Sequence, residues 1–312
     1  MTAINGQTKL IGIFGNPIAH TASPRMHNAA FRHLNLNYAY VPFLVQEPEL
    51  ASAVTAIRAL NLAGVNVTVP FKEKVLPYLD DLSEAAAKIG AVNTIVNRDG
   101  KLVGYNTDGE GFLVALNIEA GVELKGKVVA ILGAGGSARG IAFELLRAGV
   151  SRLILINRSE PSLHSLVDHL KIGAYTPIDS VTSADPTAVQ LLKNADIVVN
   201  TTSAGMSPNE ETLPIEDTSW LSAHHVLYDI VYKPSETRLM AIAASKGVNV
   251  HGGLSMLIGQ GAIAFELFTG HKAPYSIMKS AVLNSRPPSY AKASADKPNL
   301  PLSRGEVRWG VH

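Results

Sequence analysis

Glycines set between an apolar run and a helix start can hold a phosphate, and this sequence contains such a place. Residues 128–146 read VVAILGAGGSARGIAFELL. Val128–Leu132 has the unbroken apolar character of a buried strand, Gly133-Ala134-Gly135-Gly136 is a turn, and Ser137–Ala148 has helical spacing. Each small residue has a physical task. Gly133 permits the tight reversal, Gly135 lets the backbone approach a pyrophosphate, and Ala138 lets helix and strand pack closely. The pyrophosphate would sit on the helix N-terminus, facing free N–H groups and the positive end of the dipole. A glycine trio alone is weak evidence. Strand, turn, helix and next strand in that order are what a dinucleotide site requires.

The next strand, Leu153–Ile156, runs into Asn157-Arg158-Ser159-Glu160. An NAD site usually places a carboxylate here for the ribose hydroxyls, whereas an arginine suits the 2′-phosphate of NADP. Arg158 offers its planar fork to that phosphate and Ser159 adds a hydroxyl donor, which favours NADP. Glu160 keeps NAD open, because a carboxylate two residues on can bond a ribose instead.

The elements that must position this turn follow the pattern of parallel α/β folds, short β-rich runs alternating with helix-like segments. Lys9–Phe14 predicts a first strand. Ser23 before Pro24 predicts an N-cap and a first-turn proline, opening a helix to about Asn35. Tyr38–Leu44 and Ala63–Val69 predict strands, with a helix over Glu47–Leu60 between them. Asn93–Asn97 and Leu102–Tyr105 flank Asp99-Gly100, a hairpin signal. A second βα series begins near Lys127, with later strands at Ile197–Asn200 and Val226–Val231. The boundary near Thr107–Gly109 predicts an N-terminal α/β domain over 1–108 and a Rossmann-like domain over 109–253, with a cleft between them. Residues 285–312 carry four prolines (Pro287, Pro288, Pro298 and Pro301) and scattered charge, and predict a disordered tail.

Composition narrows the function. The 312 residues are enough for about two domains. Hydrophobic residues make up 46% and charged residues 17%, so sizeable cores are available. A net charge of +1 without a basic stripe gives no footprint for nucleic acid. The absence of cysteine excludes disulfides, thiolate metal sites and cysteine nucleophiles, and fits a cytoplasmic protein. The N-terminus lacks the pattern of a signal peptide. No apolar stretch reaches the roughly 20 residues needed to span a membrane.

Four segments ahead of the glycine turn place polar groups at strand ends and helix starts. They are Gly15-Asn16-Pro17-Ile18-Ala19-His20-Thr21-Ala22-Ser23-Pro24, Asn66-Val67-Thr68-Val69-Pro70-Phe71-Lys72, Gly90-Ala91-Val92-Asn93-Thr94 and Gly104-Tyr105-Asn106-Thr107-Asp108-Gly109. With Asn200-Thr201-Thr202-Ser203-Ala204-Gly205-Met206, Tyr228-Asp229-Ile230-Val231-Tyr232-Lys233-Pro234 and the run Gly253–Gln260, the chain from about residue 9 to 284 resembles the shikimate dehydrogenase family.

The resemblance implies reduction of 3-dehydroshikimate to shikimate, usually with NADPH, on the route to aromatic amino acids. It implies a carboxylate held by Thr21 and Ser23, a catalytic Lys72 paired with Asp108, and ring contacts from Asn66, Thr68, Asn93, Tyr232 and Gln260. Gly133 to Ala138 with Asn157, Arg158 and Ser159 would hold the dinucleotide. Ser203, Met206 and Gly253 fall on its nicotinamide side, and Thr201 and Ile230 are further cofactor-binding positions. It also implies that helices over about 254–284 pack back on the first domain, no metal, and a monomer or homodimer. Hydride transfer to a ketone leaves an alkoxide that needs a proton; a lysine can supply it and a carboxylate can orient the ammonium. On the residues alone, Lys72 is a surface lysine, Asp108 a helix N-cap and Ser23 only an N-cap.

Two departures from the family pattern stand out. Thr21 replaces the usual serine, and changes in this loop accompany quinate use in some relatives. Gly252-Gly253-Leu254-Ser255 stands where Asp-Gly-Leu-Gly is common. A quinate/shikimate dehydrogenase using NAD or NADP is therefore one alternative, and a non-catalytic NADP-binding regulator is another. The ten histidines match no zinc spacing and are expected to be structural or solvated.

Overall fold

The computed structural model describes residues 4–170 and 176–283, so the tail predicted over 285–312 lies outside the described residues. The first half runs β1 (Lys9–Gly15), α1 (Ser23–His33), β2 (Tyr38–Leu44), α2 (Leu50–Ala59), β3 (Gly64–Val67), β4 (Asp81–Leu82), α3 (Glu84–Ile89), β5 (Thr94–Arg98) and β6 (Lys101–Tyr105). Its sheet has the order β2-β1-β3-β5-β6-β4. β1 pairs parallel with β2 and β3, while β5 is antiparallel to β3 and β6. Asp99 and Gly100 both take positive φ, 51° and 91°, which is the geometry of a tight hairpin turn between β5 and β6.

β3 ends at Val67, two residues earlier than the apolar run predicts. Pro70 has no N–H and restricts the residue before it, so the chain leaves the sheet. The helix predicted from Glu47 opens as a short 3-10 turn, Glu47–Glu49, before α2. Ser23 is not the N-cap of α1. Ala22 holds that position, Ser23 is the first helical residue, and no side chain caps the end.

The second half runs α4 (Asp108–Ala120), β7 (Val128–Leu132), α5 (Gly136–Arg147), β8 (Arg152–Asn157), α6 (Glu160–Leu170), β9 (Ile178–Thr182), α7 (Thr187–Lys193), β10 (Ile197–Asn200), β11 (Val226–Asp229), α8 (Arg238–Ser245) and β12 (Asn249–Gly252). All its strand pairs are parallel, in the order β12-β11-β10-β7-β8-β9. This is the doubly wound arrangement whose switch point lies between β7 and β10, at the carboxyl ends of the strands. The central strands are apolar throughout because helices cover both faces.

The chain then continues in α9 (Leu254–Thr269) and α10 (Tyr275–Leu283). Ile258, Ala264, Phe265 and Phe268 of α9 and Met278 of α10 share a core with Ile11, Ile13, Met26 and Phe31 of the first half. α4 packs against α9 and α5. Its Phe112, Ala115 and Leu116 belong to the core of the second half. A Cβ on Gly109 would stand 2.2 Å from the Gly140 carbonyl, so α4 and α5 meet backbone to backbone. That contact sets the start of α4 against the start of α5, where the polar motifs converge.

Within α1, His27 is fully buried. Its ring stacks on Tyr40 at 4.4 Å and 4°, and neither ring nitrogen has a hydrogen-bond partner. Burial lowers its pKa from 6.5 to about 3.

Candidate active site

Lys72 lies just past the Pro70 break, anchored by the fully buried Phe71 beside it. Its carbonyl accepts from the Val92 N–H at 2.7 Å. Its Nζ donates to Asp108 Oδ2 at 2.5 Å, and the two side chains are only 13% and 6% exposed. Lys72 is therefore not a surface lysine. Asp108 is not the N-cap of α4 either: Thr107 holds that position and Asp108 is the first helical residue.

Asn93 aims the carboxylate. Its Nδ2 donates to Asp108 Oδ1 at 2.8 Å and to Thr107 Oγ1 at 3.0 Å. Its Oδ1 accepts from the Thr107 N–H at 2.9 Å and from Thr94 Oγ1 at 3.0 Å. An amide side chain has two donors and two acceptor sites, and all of them are engaged inside the protein. One oxygen of Asp108 is thus held by Asn93 and the other by Lys72.

Asn66 is bound from behind. Tyr40 donates to its Oδ1 at 2.7 Å, and its Nδ2 donates to the Asn93 carbonyl at 3.1 Å and to Thr94 Oγ1 at 3.0 Å. One lone pair on Oδ1 is left, so what Asn66 can present to the cleft is an acceptor. Tyr40 was not singled out in the sequence, where it is one aromatic in a strand pattern. Gln260 donates to the Leu257 carbonyl at 2.8 Å, which leaves its Oε1 toward Asn93.

A cleft of about 300 Å³ gathers these groups. Thr21, Ser23, Asn66, Thr68, Lys72, Asn93, Asp108, Tyr232 and Gln260 line it together with Ser137, Thr201, Ser203, Met206, Ile230 and Gly253. Ser23 is buried, and its N–H donates to Thr21 Oγ1 at 3.3 Å. The Tyr232 phenol sits on the Ala22 backbone, and burial pushes its pKa up. Gly253 packs so tightly that a Cβ would reach 2.0 Å from the Ile230 carbonyl. Thr201 Oγ1 is committed to the Leu132 carbonyl at 2.8 Å. A wider surface depression of about 670 Å³ lies between α1 and α10 over Arg25 and Arg32, and none of the motif residues reaches it except Pro24 at its edge.

The glycine turn touches the ion pair directly. Lys72 Nζ also donates to Ser137 Oγ at 2.9 Å, a contact across the two halves that the turn motif alone does not reveal. Arg139, one helical turn into α5, stands 3.1 Å from Glu73. Gly133 takes φ +115°, which only glycine accepts readily. A Cβ on Gly135 would meet nothing within 4 Å, so the backbone at the N-terminus of α5 is open to a ligand. Gly135 is the N-cap, and the first-turn N–H groups that follow have no intrahelical partner. These residues fit the pyrophosphate of a dinucleotide.

Asn157, the last residue of β8, and Arg158 and Ser159 just after it stand apart from the cleft. Arg158 is exposed and makes no ion pair among the described residues. Ser159 Oγ accepts from the Ser162 N–H at 3.4 Å, which gives it a capping function on α6. Glu160 leans along its own helix, 3.9 Å from His164. In the departing stretch Gly252–Ser255, Ser255 hydrogen-bonds Glu119 on α4; nothing in the structure explains Gly252.

Two α/β halves across a cleft, a glycine turn at a helix N-terminus and a shielded ammonium–carboxylate pair beside it define a two-domain dinucleotide-dependent oxidoreductase. Comparison with known proteins gives the family. Residues 13–95 match the shikimate dehydrogenase substrate binding domain, 115–212 match shikimate / quinate 5-dehydrogenase, and 253–283 match the shikimate 5′-dehydrogenase C-terminal domain. The shikimate dehydrogenase (NADP(+)) of Symbiobacterium thermophilum is 47% identical over 281 residues, covering 89% of this chain and 95% of that one. A crystal structure of a shikimate dehydrogenase in complex with NADP+ is 40% identical with a TM-score of 0.79, covering 90% of this chain and 96% of that one. Shikimate 5-dehydrogenase from Listeria monocytogenes, solved with shikimate and NAD, is 38% identical with a TM-score of 0.81, covering 90% and 98%. The chain belongs to the shikimate dehydrogenase family.

Proposed function

We propose that this chain catalyses the reversible reduction of 3-dehydroshikimate to shikimate with NADPH. The observation that carries the reading is the Lys72–Asp108 pair, set at 2.5 Å between ring-facing amides on one side and the glycine-turn helix on the other. The dinucleotide, when bound, supplies the hydride. Lys72 donates a proton to the oxygen that becomes an alkoxide, and takes it back in the reverse direction. Asp108 holds the ammonium in place and accepts from a ring hydroxyl. Asn66 accepts from a second hydroxyl, and Gln260 and Thr68 close the polar wall. Thr21 and Ser23 donate to the carboxylate at the start of α1, where the helix dipole adds attraction. Closing the cleft excludes water from the transfer. A cytoplasmic location remains the expectation from the cysteine-free sequence.

The test is a kinetic matrix of shikimate and quinate against NADP and NAD. kcat/KM is expected to be highest for shikimate with NADP; a strong preference for quinate with NAD would overturn the reading. That second reading has support in Thr21 and in the NAD held by the Listeria enzyme. Arg158, by contrast, is exposed and unpaired by any described carboxylate, as a 2′-phosphate ligand requires. A regulator without chemistry has no use for a shielded proton donor, which argues against the non-catalytic alternative.

Arg158 therefore carries a separate prediction. Arg158→Ala removes a charge-assisted contact to the 2′-phosphate, worth about 1.5–3 kcal/mol. The KM for NADP should rise by about 10–100-fold while that for NAD stays nearly constant, as measured by titrating each cofactor at saturating shikimate. Equal changes for both cofactors would remove Arg158 from phosphate recognition.

A further inference from the structure

Lys233 lies in the loop after β11 and lines the same cleft as Lys72. Its Nζ is 3.4 Å from Nδ1 of His20, the residue before Thr21. Both side chains line the cleft together with Thr21 and Ser23. The preceding residue, Tyr232, rests on the backbone of Ala22. A loop of the second half thus touches the hydroxyl-bearing loop of the first half at two successive residues.

The charges of the cleft do not balance. Lys72 is neutralised by Asp108, and no other Asp or Glu lines the cavity. Lys233 makes no ion pair with a carboxylate among the described residues. One uncompensated positive charge therefore stands at the hydroxyl end of the cavity. A bond from an ammonium to a neutral imidazole nitrogen at 3.4 Å is a weak hold. Thr21 and Ser23 can donate hydrogen bonds to a carboxylate but bring no charge to it.

We propose that Lys233 is the counter-ion of the substrate carboxylate: it leaves His20 for a carboxylate seated on Thr21 and Ser23, and so ties the two halves across the bound ring. The identity of that acid rests on the function proposed above. Lys233 and His20 are both exposed, so solvent weakens the pair. The effect belongs at the upper end of exposed ion pairs, about five-fold in affinity.

The experiment compares shikimate with its methyl ester, which keeps the ring hydroxyls and lacks the charge. Wild type, Lys233→Met and Lys233→Arg are assayed with saturating NADP at low and high sodium chloride. Lys233→Met should raise the KM for shikimate about five-fold, leave the KM for the ester unchanged, and move kcat less than KM. Lys233→Arg should restore most of the loss. High salt should raise the wild-type KM for shikimate and narrow its difference from the methionine variant. Equal changes for acid and ester, or no change for either, would overturn the assignment. Failure of the wild type to oxidise shikimate at all would overturn the substrate reading and this inference with it; turnover with an unshifted KM would overturn this inference alone.

Discussion

Lys72→Ala is expected to lower turnover by about 10²–10⁴-fold, the range for losing a general acid–base group. The KM for shikimate should change far less. Lys72 does not stand alone: it spans Asp108 Oδ2 at 2.5 Å and Ser137 Oγ at 2.9 Å, so its ammonium is fixed between the carboxylate and the helix that opens at the glycine turn. A proton donor fixed between ring and dinucleotide acts at the moment hydride arrives, which is a transition-state contribution and falls on kcat. In the proposed function the substrate is held elsewhere, its ring by Asn66 and Gln260 and its carboxylate by the Thr21–Ser23 pair, and the substitution leaves those side chains in place. Steady-state kinetics in both directions measure the split. Full activity in the variant would remove Lys72 from the mechanism. A raised KM with kcat unchanged would make it a binding residue instead.

The glycine turn was the most legible part of the sequence because its physics is local. Gly133 must take positive φ and Gly135 must leave the backbone bare, and both needs appear as residue types in one short segment. The central strands of the second sheet were equally legible, since burial on both faces makes them apolar throughout. Its edges were not. β9 reads Ile-Asp-Ser-Val-Thr and β12 reads Asn-Val-His-Gly, half-polar runs that pair on one side only. The Lys72–Asp108 pair was invisible to local reasoning for a different reason. Lys72 and Asp108 are 36 positions apart, and their shielding arises only when α4 crosses α5. Family resemblance supplied them; propensity assigned one to the surface and the other to a helix cap. Tyr40 and the Lys72–Ser137 contact were missed by both routes, because each depends on two distant segments meeting and neither leaves a motif.

The second large effect is on acid stability and comes from His27. Its pKa falls from 6.5 to about 3 because the ring is buried with no partner on either nitrogen. A depressed folded-state pKa means that the unfolded chain binds a proton the folded protein refuses. The neutral form's stability is therefore intact above pH 6.5 and is lost progressively as pH falls toward 3. At about 1.4 kcal/mol per pH unit, the loss between pH 6.5 and pH 4 comes to about 3 kcal/mol. His27→Phe keeps an aromatic ring to stack on Tyr40 and gives up no hydrogen bond, since none is made. Every other titrating group is common to both proteins and cancels in the difference. Urea unfolding from pH 7 to pH 4 should show wild type losing about 3 kcal/mol more than the variant over that interval. Parallel pH dependences would show that His27 is protonated, or solvated, in the folded protein. The neutral ring also serves the site, because the same Tyr40 that stacks on His27 donates to Asn66 at 2.7 Å. With a folded-state pKa of about 3 the imidazole stays neutral in mild acid, so the stack persists and the KM for shikimate should not rise in wild type for as long as it remains folded.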